Sequence, residues 1–288
     1  YIYGQVNYNL NVDFDGRKIV GDNPDDLKDT KYGNNNVVGP EPQEAKHGTH
    51  VAGIVAQVRG NNKGGDGVTN NAQIMAVRAV PNGDEYDKDI ALGIRYAVDN
   101  GAKVINGSFG KYFSQNKEWV IDAIKYAESK DVLVVIAAGN ESYDLDVTNK
   151  YPNDTYDGSP EYARNVLIIG ALSPTYGTKM VASFSNYGKN NVDIYAPGDK
   201  IYATIPNNEY KYEQGTSMAS PNVAGVATLI RSYYPSLTAV QVKQIIMESG
   251  TPLKNTVTIG EDKHKANFAD ASKSGRIVNA YNALVLAA

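Results

Sequence analysis

The sequence predicts an α/β protein, with a three-layer, doubly wound and mostly parallel sheet that carries helices on both faces. Two observations favour this class. Short, almost continuously apolar segments recur along the chain, and segments with helically spaced apolar residues lie between them. The length of 288 residues suits one large domain of this kind.

The segments predicted to be buried strands are rich in Val, Ile, Leu and Ala. They are residues 72–80, 102–109, 132–139, 165–172 and 192–198. A strand that is covered by helices on both faces is apolar on both sides, so these segments are typical of a parallel sheet.

Helical spacing predicts helices over residues 88–101 and 118–131, between the strands. Near the C-terminus, residues 235–249 should form a helix capped by Ser236 or Thr238, residues 254–275 an exposed hairpin or loop, and residues 275–287 a last helix.

The first 45 residues differ from the rest, being acidic, rich in Asn and Gly and poor in periodicity. We expect a loop-rich N-terminal segment over residues 1–45, with at most a short strand at residues 10–14. It would be the tail of an insertion ahead of a domain over residues 46–288.

Charge and cysteine content narrow the functions to consider. Twenty-eight basic residues against 32 acidic ones give a net charge of -4, without the basic footprint of a nucleic-acid-binding protein. The chain has no cysteine, which excludes disulfides, thiolate metal sites and a cysteine nucleophile. No apolar run of 18 residues predicts a membrane span.

Two of the three histidines lie in the segment KHGTHVAGIVA, residues 46–56. Apolar residues follow with helical spacing, so a helix should begin here with His47 in its first turn, where the ring can face a cleft as a general base. The alternatives are a structural histidine, or a His-x-x-His metal pair with His50, for which no third ligand is close in the sequence.

Ser217 lies at the start of another predicted helix, in GTSMASPNVAGVATLI. The small neighbours Gly215 and Ala219 leave its hydroxyl accessible, and free N–H groups at the helix N-terminus favour a developing negative charge. Pro221 is expected in the first turn, where proline is tolerated. The alternative is that Ser217 is only an N-cap.

Asn140 follows the most apolar predicted strand, in the segment AAGNES. Open α/β sheets bind ligands at the carboxyl ends of their strands, and an asparagine amide can donate to an oxyanion. A turn residue is the alternative interpretation.

Taken in order, HGTHVAGIVA, NGSFG, AAGNES, FSNYG, DIYAPG and GTSMASPNVAG resemble the subtilases, the subtilisin-like serine proteases. The resemblance runs from His47 to Ala288. It implies a serine endopeptidase that forms an acyl-enzyme on Ser217, with His47 as general base and Asn140 as an oxyanion donor. No catalytic cofactor is implied.

The resemblance also implies a cleft that binds extended polypeptide substrates by main-chain pairing. The cleft contains a pocket, the specificity pocket, for the substrate residue before the scissile bond. Its two implied walls are Ser108, Phe109 and Gly110 on one side and Ala137, Ala138 and Gly139 on the other. The small residues among them predict a roomy pocket with an apolar or aromatic preference. The acidic loop at residues 84–89 should line a remoter pocket or simply be solvated.

A subtilase also needs an aspartate that orients the histidine, at the end of a buried strand as Asp-Thr-Gly or Asp-Ser-Gly. No such strand precedes His47. Asp15 is a candidate, but the stretch before it is not apolar and Arg17 stands where a small residue belongs. We therefore expect the aspartate on an N-terminal segment upstream of Tyr1, which the non-Met start favours. Without it, the chain would be an inactive or fragmentary relative that binds extended peptides.

Structural calcium and a secreted, extracellular or cell-surface location of bacterial type are further implications of the resemblance. Asn61, Asn62 and Asp66 could supply oxygen ligands, although they lack the spacing of an EF-hand. An α/β-hydrolase esterase is less consistent with the sequence, because its histidine would follow the serine, whereas His47 precedes Ser217.

Overall fold

The computed structural model describes residues 5–39, 41–81, 83 and 85–288. Its α-helices are α1 (Gly16–Val20), α2 (Lys46–Ala56), α3 (Asp87–Asp99), α4 (Lys117–Ser129), α5 (Thr216–Tyr233), α6 (Ala239–Ser249) and α7 (Ala280–Ala287). Its strands are β1 (Val104–Gly107), β2 (Leu133–Ala137), β3 (Val166–Leu172), β4 (Ile194–Pro197), β5 (Ile201–Ile205), β6 (Glu209–Glu213), β7 (Thr251–Pro252), β8 (Thr256–Ile259), β9 (His264–Asn267) and β10 (Arg276–Ile277). Single turns of π- and 3₁₀-helix cover Gln5–Asn9, Pro42–Glu44 and Phe268–Asp270.

The central sheet has six strands in the order β1-β2-β3-β4-β10-β7. All neighbouring pairs are parallel except β10 with β7, which is antiparallel. Every residue of β2 and β3 is buried, because helices cover both faces of the sheet. The predicted fold class is confirmed.

Alternate side chains of β2 show the two layers of the core. Val134 and Ile136 pack in the cluster that holds α3 and α4. Leu133 and Val135 pack in the cluster that holds α5, α6 and α7. Because successive side chains of a strand point to opposite faces, each strand contributes to both layers.

The strand predicted at residues 72–80 is wrong, since this stretch has no strand hydrogen bonding. A strand needs a neighbour, and no strand among the described residues pairs with the free edge of β1. The stretch lies against α3, where a Cβ on Gly93 would be 3.3 Å from the side chain of Val77. Its apolar residues are partly open to solvent, with Ile74 51% exposed and Met75 40% exposed.

The N-terminal segment has no strand at residues 10–14 either, so that prediction is also wrong. Its short helix α1 is capped by the Asp15 carboxylate. Buried ion pairs attach the segment to α3: Arg17 contacts Asp89 at 2.5 Å, and Lys88 contacts Asp22 at 2.8 Å. Asp84, in the predicted acidic loop, lies outside the described residues.

The antiparallel hairpin β5–β6 was not predicted from the sequence, whereas the predicted hairpin near the C-terminus is present as β8–β9. β5 packs on α2. His50 is fully buried beneath this hairpin, with Nε2 3.1 Å from the carbonyl of Ile201 and 3.0 Å from that of Lys211. His50 therefore has a structural role, because its Nε2 faces backbone carbonyls rather than the cleft or a metal.

Across the described ranges, no helix is at once long and apolar enough to traverse a membrane.

Candidate active site

Three separate elements bring His47, Ser217 and Asn140 to one cleft. His47 lies in the first turn of α2, Ser217 in the first turn of α5, and Asn140 in the loop after β2. All three line a cleft of about 350 Å³, together with Glu213 and Gln214. Asn140 is 93 positions after His47 and 77 positions before Ser217, yet all three residues line the same cleft.

Ser217 follows Gly215, whose φ of 144° is a conformation that few other residues adopt. The chain turns sharply at Gly215, and α5 begins at the next residue, Thr216. The Ser217 hydroxyl donates to the carbonyl of Ser108 at 3.2 Å rather than to His47. It is thereby directed toward the end of β1, at one implied wall of the specificity pocket.

Pro221 lies in the second turn of α5, not in the first as predicted. Proline has no N–H, so the carbonyl of Ser217, four residues earlier, loses its helical partner. The Ser108 hydroxyl takes that place and donates to this carbonyl at 2.8 Å. Asn106 supports the contact by donating to Ser108 at 2.9 Å while it accepts from the Ser220 hydroxyl at 2.8 Å.

Thr216 orients Asn140, a function that the sequence reasoning missed. Its backbone N–H and its hydroxyl donate to Oδ1 of Asn140 at 2.8 and 3.0 Å. The Thr216 hydroxyl oxygen in turn accepts the N–H of Gly139 at 3.0 Å. The threonine directly before Ser217 in the GTS motif is the sequence feature that could have indicated this function.

Asn186, from the FSNYG segment, shapes the loop that carries Asn140. Its Nδ2 donates to the carbonyl of Ala138 at 2.8 Å. Its Oδ1 accepts the N–H groups of Glu141 at 3.2 Å and Tyr143 at 2.8 Å. A fully buried side chain therefore holds both sides of the loop in place.

His47 is exposed to solvent at the cleft. Desolvation by the surrounding protein and nearby His50 lower the pKa of its imidazole, whereas Glu213 raises it, and the net effect favours the neutral ring. Within the described ranges, no side chain forms a hydrogen bond with the His47 ring. A neutral imidazole can accept a proton, which is the state that a general base requires.

Asp15 is engaged away from this cleft. Its Oδ1 accepts the N–H of Arg17 at 3.0 Å as the cap of α1, and its carboxylate lies 3.4 Å from the Lys18 ammonium. It does not line the cleft.

The implied walls of the specificity pocket follow two neighbouring strands. β1 and β2 are parallel, with Gly107 opposite Ile136, so the residues after them emerge at the same edge of the sheet. The implied wall residues are Ser108, Phe109 and Gly110 after β1, and Ala137, Ala138 and Gly139 at the end of β2.

One group of three carboxylates is close enough together to be considered as a calcium site. Asp154, Glu161 and Asp193 place oxygen atoms within 4.8 Å of one another. The Lys243 ammonium lies 3.4, 3.2 and 3.7 Å from these three carboxylates. Calcium takes six to eight oxygen ligands, and a cation already lies among these, so the group does not fit a calcium ion.

The predicted calcium loop uses its oxygens internally. Oδ1 of Asp66 accepts the N–H of Gly60 at 2.9 Å, and Oδ1 of Asn61 accepts the N–H of Lys63 at 3.0 Å. These bonds close turns of the loop. We assign no catalytic step to a metal ion.

The doubly wound sheet, with a serine and a histidine each in the first turn of a helix and an anchored asparagine beside them, defines the subtilisin-like α/β class. The chain belongs to the subtilase family, whose model matches residues 9–275.

Relatives and solved structures agree with this assignment. A thermophilic serine proteinase of Bacillus sp. (strain AK1) is 37% identical over 274 residues, which are 94% of this chain and 58% of the relative. Thermitase of Thermoactinomyces vulgaris is 42% identical over 187 residues, 65% of this chain and 61% of the relative. The chain thus spans about three fifths of either relative. A protease structure from Pseudoalteromonas arctica has a TM-score of 0.68 and 31% identity, covering 84% of this chain and 71% of that one.

Proposed function

We propose that the chain is the catalytic domain of a subtilisin-like serine endopeptidase that hydrolyses peptide bonds through an acyl-enzyme on Ser217. One observation carries the proposal. Thr216 holds Oδ1 of Asn140, so the amide Nδ2 is available in the cleft that His47 and Ser217 line. This arrangement suits a side chain whose task is to donate to an oxyanion.

The reaction begins when neutral His47 takes the proton of the Ser217 hydroxyl as Oγ attacks the substrate carbonyl. The hydroxyl first turns from the Ser108 carbonyl toward His47. The Ser217 N–H, in the first helical turn, and Nδ2 of Asn140 stabilise the oxyanion. His47 then gives the proton to the leaving amine, and water releases the acyl group by the same steps.

The orienting carboxylate comes, in this proposal, from an N-terminal segment outside these 288 residues that adds a strand to the free edge of β1. Two features support this addition. β1 has a partner strand on one side only among the described residues, and residues 72–80, which lie against α3, have exposed apolar side chains. An open apolar sheet edge is a surface that proteins normally cover.

The substrates are polypeptides, bound in extended form along the segment after β1. The domain comprises residues 46–288, and residues 1–45 are the tail of an insertion. We also propose a secreted or cell-surface location, which rests on the resemblance of the motifs. Fractionation of the source cells tests it, because an intracellular pool of the protein would contradict the assignment.

Hydrolysis of an extended chromogenic peptide tests the function, with Ser217→Ala and Asp15→Asn variants in parallel. Without the orienting carboxylate, turnover should be about 10⁻⁴ of that of a complete enzyme, lost in Ser217→Ala and unchanged in Asp15→Asn. Adding the N-terminal segment should restore it. Full turnover that Asp15→Asn abolishes would instead place the orienting carboxylate at Asp15.

The alternative is an inactive relative that binds extended peptides, favoured because no described carboxylate forms a hydrogen bond with the His47 ring. Covalent labelling of Ser217 by a sulfonyl fluoride separates the two, since it requires an activated serine. Peptide binding without labelling or turnover, even with the N-terminal segment present, would establish the inactive relative.

A further inference from the structure

Lys150 is a buried lysine whose charge is poorly satisfied. It is only 3% exposed, and its ammonium makes a single hydrogen bond with the described residues, to the carbonyl of Phe109 at 3.3 Å. No carboxylate within the described part of the chain forms an ion pair with it. A buried ammonium with one weak acceptor is costly to maintain, so it favours any anion that can reach it.

The ammonium lies against one implied wall of the specificity pocket. A Cβ built on Gly110 would be 2.3 Å from Nζ of Lys150 and 2.5 Å from its Cε, so any larger residue here would displace the end of the lysine side chain. Glu141, just after Asn140 and the opposite wall, is close enough to raise the pKa of Lys150. The geometry thus places the Lys150 ammonium directly against the wall formed by Phe109 and Gly110.

The nearest carboxylates are engaged with other groups. Glu85 accepts the N–H of Gly110 at 3.0 Å. Glu141 accepts the N–H of Asn140 at 2.7 Å and also the hydroxyl of Tyr112. Burial lowers the pKa of Lys150 to about 8, while Glu85 and Glu141 oppose that shift. At neutral pH the side chain thus remains mostly a cation.

We propose that Lys150 forms the floor of the specificity pocket and selects substrates with an acidic residue before the scissile bond. The inference rests on the proposed peptidase function and replaces the apolar or aromatic preference expected from the small wall residues. A substrate carboxylate at this floor forms charge-assisted hydrogen bonds with the unsatisfied ammonium. A glutamine side chain of the same length cannot supply the charge.

The test compares three chromogenic peptides that differ only in the residue before the scissile bond: Glu, Gln or Leu. The protein is assayed in its active form, as the chain alone or with its N-terminal segment. We expect kcat/KM for the Glu peptide to exceed that for the Gln peptide by roughly 10- to 100-fold. In Lys150→Met this ratio should fall to about one or below, and cleavage of the Leu peptide should rise.

Lys111→Met is the matched control, because Lys111 lies beside the same wall but is paired with Asp87 at 2.9 Å. It should keep the preference for Glu. A second measurement needs no variant: the Glu-to-Gln ratio of the unaltered protein should fall as pH rises through about 8. Because both substrates depend equally on His47 and Ser217, their titration cancels in the ratio. This measurement decides the matter if Lys150→Met does not fold.

The outcomes separate the inference from the function on which it rests. Serine-dependent cleavage of the Leu peptide without preference for Glu over Gln would overturn the assignment of Lys150 alone. Cleavage of none of the peptides, with no labelling of Ser217, would overturn the peptidase proposal and this inference with it.

Discussion

Oδ1 of Asn140 accepts two hydrogen bonds from Thr216, at 2.8 Å from the backbone N–H and at 3.0 Å from the hydroxyl. The two residues are 76 positions apart in the chain, and the contact joins the loop after β2 to the start of α5. With its oxygen held on both donors, the amide can present only Nδ2 to the cleft. The relationship therefore sets which end of Asn140 faces a reacting carbonyl.

Replacing Asn140 by Ala should lower kcat by roughly 10²- to 10³-fold with little change in KM, because its donor acts mainly in the transition state. This range is the one known for the corresponding asparagine of subtilisin and is carried over here. Thr216→Val should have a smaller effect, about tenfold, since the backbone N–H still anchors the amide. Steady-state kinetics measure both. A large KM effect with unchanged kcat would contradict the assignment.

The acid limb of the pH–rate profile should lie below pH 6.5, the ordinary pKa of histidine, when the chain is assayed alone. Desolvation at the cleft lowers the pKa of His47, and activity is lost as falling pH protonates the base. An orienting carboxylate, once supplied, should move this limb upward because it stabilises the imidazolium. Profiles of kcat/KM measured with and without the N-terminal segment check both expectations. An identical limb in the two profiles would argue against a carboxylate beside His47.

Lys243→Met should destabilise the fold by about 3–5 kcal/mol at neutral pH, because it leaves three carboxylates without their central cation. Chemical denaturation measures the loss. Lys273→Met is the control. Within the described part of the chain its more exposed ammonium forms an ion pair with Glu161 alone, so the change should cost less than about 1 kcal/mol.

The loss in Lys243→Met should shrink in acid. Burial and the neighbouring Asp193 raise the pKa of Asp154 to about 7. A carboxyl group with a raised pKa in the folded state binds a proton more readily there than when unfolded, so its contribution to stability increases as pH falls through that value. Equal losses at about pH 8 and about pH 5 would contradict the view that ionised carboxylates left without Lys243 cause the destabilisation.

Two helical glycines should respond oppositely to alanine. A Cβ on Gly225 in α5 would be 2.6 Å from the side chain of Val68, so Gly225→Ala should cost about 1–3 kcal/mol through overpacking. A Cβ on Gly48 in α2 would meet nothing within 4 Å, so Gly48→Ala should gain about 0.5–1 kcal/mol of helix stability. Thermal unfolding distinguishes the two, and equal shifts would contradict the packing of α5 against residue 68.

Much of the fold follows from patterns that are visible in the chain. β1 to β4 and helices α2 to α7 correspond to predicted segments, because their apolar spacing reports directly which faces are buried. Thr238 caps α6 as expected, with Gln241 completing a capping box. The stretch at residues 72–80 was assigned wrongly, because an apolar run does not reveal whether a partner strand lies beside it.

In the candidate site, too, local motifs predicted some features and the packing of distant elements determined others. His47, Ser217 and Asn140 were identified from local motifs, but their common cleft depends on the docking of α2, α5 and the loop after β2. Neither the orientation of Asn140 by Thr216 nor the position of Lys150 against Gly110 has a periodic signal in the sequence.

The sequence by itself determined the α/β class, most of its helices and strands, and the residue types available for acyl transfer. These depend on local spacing, capping and short motifs, which neighbouring residues specify. Only the tertiary structure decided which polar groups meet: the Ser108 hydroxyl on the carbonyl left open by Pro221, the Lys243 ammonium among three carboxylates, and the nearly unpaired Lys150. Hydrogen bonds and charge interactions act over a few ångströms in space, and those distances exist only once the distant segments have packed together.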